Sequence, residues 1–98
     1  MITFITLIKF SGESLKNIGD IGSIYEEGMK MGKQMGIKSI SAYATMGPYD
    51  AMFIYEAPDE KTAIGMVMSI AAKQGGTTET WTAIPMEEFA KLAAGMKC

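Results

Sequence analysis

Apolar and polar residues alternate most clearly between Ile37 and Ala57, where IKSISAYATM and AMFIYEA flank the short break GPYD. A period of two belongs to a strand with two unlike faces, and Gly and Pro between two such runs mark a turn. This stretch therefore predicts a β-hairpin hinged on Met46-Gly47-Pro48-Tyr49-Asp50. Ahead of it, Ile2 to Phe10 is rich in Ile, Thr and Phe and reads as a strand. Ser11-Gly12-Glu13-Ser14 breaks that strand, and Ser14 suits the N-cap of a helix from about Leu15 to about Met35, stopped by Gly36. Leu15, Ile18, Tyr25 and Met29 form its apolar stripe, with Gly22 and Gly32 in the same row and Ile21, Ile24, Met31 and Met35 widening one side. Glycine inside a helix costs about 1 kcal/mol relative to Ala. Close packing is the expected compensation at Gly22 and Gly32.

After the hairpin, Pro58 ends the strand, Asp59 can cap and Glu60 suits the positive end of a second helix. Ala63, Val67, Ile70 and Ala71, with Ile64 and Met68 beside them, are expected to face inward, and Gly75-Gly76 closes the helix. TTETWTAI (Thr77 to Ile84) reads as a strand, and Pro85-Met86-Glu87-Glu88 opens a third helix striped by Phe89, Leu92, Ala93 and Met96. The order βαββαβ plus a C-terminal helix predicts an α+β, ferredoxin-like domain over residues 1–98. Its four-stranded antiparallel sheet has spatial order four, one, three, two, with helices on one face.

The second strand suggests which face is open. Ser39, Ser41, Tyr43 and Thr45 point one way; Ile40, Ala42, Ala44 and Met46 point the other and are assigned to the helices. The last strand offers a comparable polar row in Thr78, Thr80 and Thr82, with Trp81 and Ala83 opposite. The first and third strands are apolar on both sides, so the open side needs a second layer, which another copy of the chain can supply. This predicts a homodimer or higher homo-oligomer through the open sheet face. The resulting barrel-like interior would be lined by Phe4, Thr6, Ile8, Tyr43, Phe53, Tyr55 and Thr80.

Composition removes whole classes of function. The chain has no histidine, and so lacks the commonest general base and metal ligand and any Ser-His or Cys-His nucleophile. A net charge of -2, with the nine basic residues scattered, argues against a nucleic-acid partner. Cys98 is the single cysteine, so no internal disulfide forms, which fits a reducing cytoplasm. MITFITLIKF has no leading positive residues and no small-residue cleavage site, and is too short to span a bilayer. The expectation is a cytoplasmic protein with no membrane partner and no cofactor.

LIKFSG, GPYD, YEAPDE and TTETWTAIPMEEF, in this order and spacing, resemble the GYD-domain family, from Ile5 to about Phe89. Its Gly-Tyr-Asp motif stands here as Gly47-Pro48-Tyr49-Asp50, with one residue inserted. The resemblance implies a dimeric α/β barrel and no established activity. Related barrels include cofactor-free monooxygenases, haem-degrading enzymes, lyases and ligand-sensing domains, whose functions reside in sites rather than in the fold.

Several groups of residues are candidates for chemistry. With the first and third strands read as parallel neighbours, Lys9 and Glu56 fall at one sheet end, and the start of the fourth strand brings Glu79 beside Lys9. A Lys between two carboxylates can hold a raised-pKa Glu as a general base or anchor an anion; the plainer account, and the better one, is that the three close the sheet end as an ion-pair network. Tyr49 and Asp50 either project over a pocket or serve as turn chemistry. Thr6, Tyr43, Tyr55 and Thr80 can place hydroxyls in an apolar small-molecule cavity, or bond across an interface. Met29, Met31 and Met35 invite a soft-metal site, but Met29 lies about 200° from Met31 around the helix, so packing is the better account and no metal is expected.

These residues suggest a small homo-oligomeric protein binding an apolar or aromatic metabolite as sensor, carrier or accessory subunit. The alternatives are a cofactor-independent monooxygenase- or isomerase-like enzyme, with Glu56 or Glu79 as base and Tyr43 or Tyr49 orienting, and a purely structural assembly.

Overall fold

A computed structural model describes residues 1–12, 16 and 18–96. Four strands, β1 (Ile2–Lys9), β2 (Lys38–Ala44), β3 (Ala51–Ala57) and β4 (Thr77–Ala83), form one sheet in the order β2-β3-β1-β4. Helices α1 (Ile21–Gln34), α2 (Glu60–Gln74) and α3 (Met86–Gly95) connect and extend it, with a short 3-10 turn (Ile18–Asp20) leading into α1. The α+β, ferredoxin-like reading thus stands, while the expected Ser14 cap and Leu15 lie outside the described residues. The helix boundaries follow local chemistry. Gly36, at φ 82°, ends α1, and Asp59 accepts a hydrogen bond from the Thr62 amide at 2.7 Å to start α2.

Every strand pairing is antiparallel. Ile2 stands opposite Ala57 and Ile8 opposite Ala51, so β1 and β3 run in opposite directions. The parallel reading of these strands is corrected: a ferredoxin-like sheet makes its parallel relations between strands that are not neighbours. Lys9 and Glu56 consequently occupy opposite ends of the sheet, with Glu56 opposite Thr3. Six residues of strand separate them, about 20 Å.

The helix-covered face is the reverse of the one expected for the central strands. Phe4, Tyr55 and Ala57 pack with Ile37 and with Ala63 of α2, the Phe4 and Tyr55 rings 5.8 Å apart. Tyr25 of α1 stacks on Phe53 at 6.2 Å. Thr6 and Ile8 alternate with Phe4 on this side, and Thr78, Thr80 and Thr82 stand opposite Ile8, Thr6 and Phe4. All of these lie on the helix side, so of the seven residues assigned to the barrel interior only Tyr43 is on the helix-free face. The reason is steric. Ala42, Ala44, Ala51 and Ala57 share this side and keep it shallow, which lets helices approach.

A bulge in β2 splits its expected polar row. Ser39 pairs with Tyr55 and Ser41 with Ile54, leaving Ile40 as the extra residue, 51% exposed. Ser41 and Tyr43 remain on the helix-free face as expected, whereas Ser39 crosses to the other. Among the glycines, Gly32 sits against Met66 and Ile37 as close packing requires, but Gly22 faces open space. Ala63 and Val67 of α2 are buried as expected; Ile64 and Met68 are instead exposed. α3 leaves the sheet beyond β4 with no buried residue, and Phe89, Leu92 and Met96 are about half exposed or more. Its stripe is genuine, but it is buried nowhere among the described residues. The described residues extend 55 × 31 × 18 Å as a result.

Candidate functional site

The helix-free face carries Ile5, Leu7 and Lys9 on β1, Met52, Ile54 and Glu56 on β3, Ser41 and Tyr43 on β2, and Glu79 and Trp81 on β4. Its centre is apolar. Tyr43 and Trp81, each about half exposed, stand near its two edges. Register places Glu79 opposite Leu7 and Lys9 opposite Thr77, one diagonal step from Glu79 on the same face.

Glu79 is the polar focus of this face. Its Oε2 accepts a hydrogen bond from the Tyr49 hydroxyl and its Oε1 accepts one from the Trp81 indole N–H at 3.0 Å. Residues two apart on a strand share a face, which brings Glu79 and Trp81 together; Tyr49 arrives from the β2–β3 loop, over the intervening β1. The Tyr49 and Trp81 hydrogen bonds hold the Glu79 carboxyl below its ordinary range. Donation to Glu79 pushes the Tyr49 phenol up, with smaller contributions from desolvation and the nearby negative charge.

The loop carrying Tyr49 is clamped from behind. The Asp50 amide donates to the Ile8 carbonyl at 2.8 Å, its Oδ2 accepts from the Phe10 amide at 2.8 Å, and its carbonyl accepts from the Thr45 amide at 2.9 Å. Thr45 Oγ1 donates to the Tyr49 carbonyl at 2.7 Å. Gly47 turns the chain with φ 121°. Tyr49 and Asp50 thus divide the labour: Asp50 ties the loop to β1, and Tyr49 reaches the sheet face.

Thr6, Tyr55 and Thr80 are brought together, but under the helices. Thr6 Oγ1 lies 2.8 Å from the Tyr55 hydroxyl and 3.0 Å from Thr80 Oγ1. Thr6 and Tyr55 are buried, and burial raises the Tyr55 phenol while the hydroxyls of Thr6 and Thr80 oppose that rise. This chain satisfies three hydroxyls within one layer. Glu56 stands apart from Lys9 and Glu79, opposite Lys38 of β2. Trp81 is a further residue that sequence reasoning misplaces: the alternation of β4 assigns it to the helix side, although its i, i+2 relation to Glu79 is visible in the sequence.

Among the described residues no cluster of three or more Cys, Asp or Glu is arranged to hold a metal, and no helix is long and apolar enough to cross a membrane. Met35 and Met66 pack against the core. A groove of about 40 Å³ between α1 and α2, lined by Ile24, Gly28, Met31, Ser69 and Ile70 with Glu27 and Lys73, has room for little more than water.

Residues 4–93 match the GYD domain. The chain is 27% identical over 90 residues to the "Glutamine synthetase and cystathionine beta-lyase binding protein" of Thermus thermophilus, covering 91% of this chain and 95% of that protein. Its fold is similar to that of TTHA0845, also from Thermus thermophilus, with TM-score 0.59, 22% identity and coverage of 87% of this chain and 95% of that one. It is also similar to an AsnC family transcriptional regulator from Agrobacterium tumefaciens, with TM-score 0.56, 17% identity and coverage of 86% and 50%. At such identities the two structures speak to the ferredoxin-like fold alone. The match over residues 4–93, which includes the Gly47–Asp50 turn and the Glu79–Trp81 strand, establishes that the chain belongs to the GYD-domain family.

Proposed function

We propose that this protein is a homo-oligomeric binding module in which two copies pack their helix-free sheet faces together and hold an apolar or aromatic small molecule between them. It acts as a sensor, carrier or accessory subunit rather than as a catalyst. The observation that carries this reading is the apolar patch of the half-buried Ile5, Met52 and Ile54 beside the buried Leu7, flanked by Tyr43 and Trp81 and covered by none of the described helices. An apolar sheet centre of this kind is a surface that a partner covers.

The groove between α1 and α2 is far smaller than the roughly 300 Å³ or more of an ordinary ligand pocket. A metabolite site is therefore best built between copies, where Tyr43, Tyr49, Glu79 and Trp81 supply the polar and aromatic groups. The name of the Thermus thermophilus relative, a binding protein for two enzymes, supports the accessory-subunit form. The enzyme alternative draws less support. A general base working near neutral pH needs a raised carboxyl pKa, whereas Glu79 is held low and already accepts two hydrogen bonds. Glu56 lies at the sheet end remote from Lys9, the partner that reading gave it.

Native mass spectrometry of wild type and Ile54→Glu tests the proposal. Wild type is expected as a dimer or multiple of a dimer carrying a small-molecule mass, and Ile54→Glu as a folded, ligand-free species of half the mass. A wild-type monomer, or an Ile54→Glu protein of unchanged mass, overturns the face-to-face assembly. A dimer without ligand leaves only assembly as the function.

A further inference from the structure

The two edges of the sheet are protected unequally. β2 carries the bulge between Ser39 and Ser41 and begins with Lys38, both of which discourage pairing with another strand. Among the described residues β4 has no such guard. It pairs with β1 over seven consecutive residues without a register shift, contains no Pro, Lys or Arg, and is exposed at five of its seven residues. Its one charge, Glu79, is held by Tyr49 and Trp81 on the helix-free face.

One row of this strand is also symmetric about its centre. Thr77-Thr78-Glu79-Thr80-Trp81-Thr82-Ala83 is centred on Thr80. An antiparallel pairing with a second copy about that centre sets Thr80 against itself, Thr78 against Thr82, and Glu79 against Trp81. Thr–Thr pairs are favourable cross-strand neighbours, and like charges never meet. Centring on Glu79 instead opposes two carboxylates; centring on Trp81 leaves the start of the strand facing Ile84 and Pro85 beyond the partner's strand end.

We infer that β4 is a second self-interface, at which two copies join edge to edge about Thr80 into a continuous eight-stranded sheet. The occupant is another copy of this chain because the Thr78-Thr80-Thr82 row is symmetric about Thr80 and so meets itself in such a pair. The two-fold axis of such a pair is perpendicular to the sheet, so both helix-free faces stay on one side. The two-fold axis of the face-to-face pairing proposed above lies parallel to the sheet. Intersecting perpendicular two-folds close into a tetramer of D2 symmetry. The edge pairing stands independently of that reading.

Cysteine crosslinking reads the register directly. In a Cys98→Ser background, Thr80→Cys places two thiols directly opposite, at a Cα separation of about 5 Å, within disulfide reach. Thr82→Cys is the control, since its two copies lie about 14 Å apart along the strands. Oxidation is expected to crosslink Thr80→Cys and not Thr82→Cys, and to do so equally when Ile54→Glu is added. Absent crosslinking at Thr80, equal yields at both positions, or loss of the Thr80 crosslink on adding Ile54→Glu overturns the edge interface. Thr80→Lys, which sets like charges on the two-fold, is expected to halve the native mass while circular dichroism stays unchanged; an unchanged mass overturns the inference. An Ile54→Glu protein of unchanged mass counts against the face-to-face pairing only.

Discussion

Tyr49, in the loop between β2 and β3, donates its hydroxyl hydrogen bond to Glu79 on β4, reaching over the intervening strand β1. This contact joins the Gly47–Asp50 turn to the far side of the sheet and places a phenol, a carboxylate and an indole together on the face that lacks helices. Because Trp81 is the only tryptophan and bonds to the same carboxylate, its fluorescence reports the contact. Tyr49→Phe is expected to shift Trp81 emission while far-ultraviolet circular dichroism stays unchanged. An emission spectrum identical to wild type would show that the loop does not hold this position in solution.

Two titrations bound that contact. Glu79 is depressed from its ordinary 4.5, chiefly by the Tyr49 hydrogen bond, so its contribution is complete above 4.5 and is lost as pH falls through the folded value. Tyr49 is raised from its ordinary 10.0, so its contribution holds below 10.0 and is lost as pH rises through the raised value. Trp81 fluorescence should therefore be flat between these limits, with an acid transition below 4.5. Glu79→Gln should abolish that acid transition; its survival in the variant would assign it to another group.

Beneath the helices, Thr6 holds the buried Tyr55 hydroxyl at 2.8 Å. Thr6→Val leaves that hydroxyl without its partner and is expected to cost about 1–3 kcal/mol in urea denaturation. Tyr55→Phe alone should cost about 1 kcal/mol, and the double variant less than the sum, since the buried Tyr55 hydroxyl is removed together with its partner and only the part-buried Thr80 hydroxyl loses a bond. Additive losses would mean that the two hydroxyls do not interact.

Gly76 opens β4 at φ 88°, and a side chain there would run into the Lys9 carbonyl oxygen. Gly76→Ala combines a left-handed backbone with a backbone clash and should destabilise by about 1–3 kcal/mol or more. Because β4 begins one residue later, the loss should appear first as faster amide exchange in β4. Uniform exchange across the sheet would show that the strain is not local.

Asp50 separates turn chemistry from ligand chemistry. Its side chain accepts from the Phe10 amide, so Asp50→Ala should lower stability by about 1 kcal/mol. If Asp50 acts only through the loop, ligand occupancy in the native mass spectrum should persist below the unfolding transition. Loss of ligand from a fully folded Asp50→Ala protein would make Asp50 a binding group.

Periodicity and turn residues along the chain were enough to determine the elements, their order and the ferredoxin-like topology. Strand alternation, the Asp59 cap and the Gly36 stop are local chemistry, which survives without knowledge of the rest of the fold. Residues as close as Glu79 and Trp81 could be grouped from their i, i+2 spacing alone. Distant groups could not. Lys9 and Glu56 were joined by a wrong strand direction, and Tyr49 with Glu79 depends on a loop crossing over β1. Above all, alternation divides a strand into two sides without saying which side meets the helices. In β1 and β3 both sides are apolar, so that choice was made by packing: small alanines and the Phe4–Tyr55 pair admitted the helices on one side, and Ile5, Leu7, Met52 and Ile54 were left on the other. The single extra residue at Ile40 then moved Ser39 across the sheet, a register change that only pairing with β3 reveals.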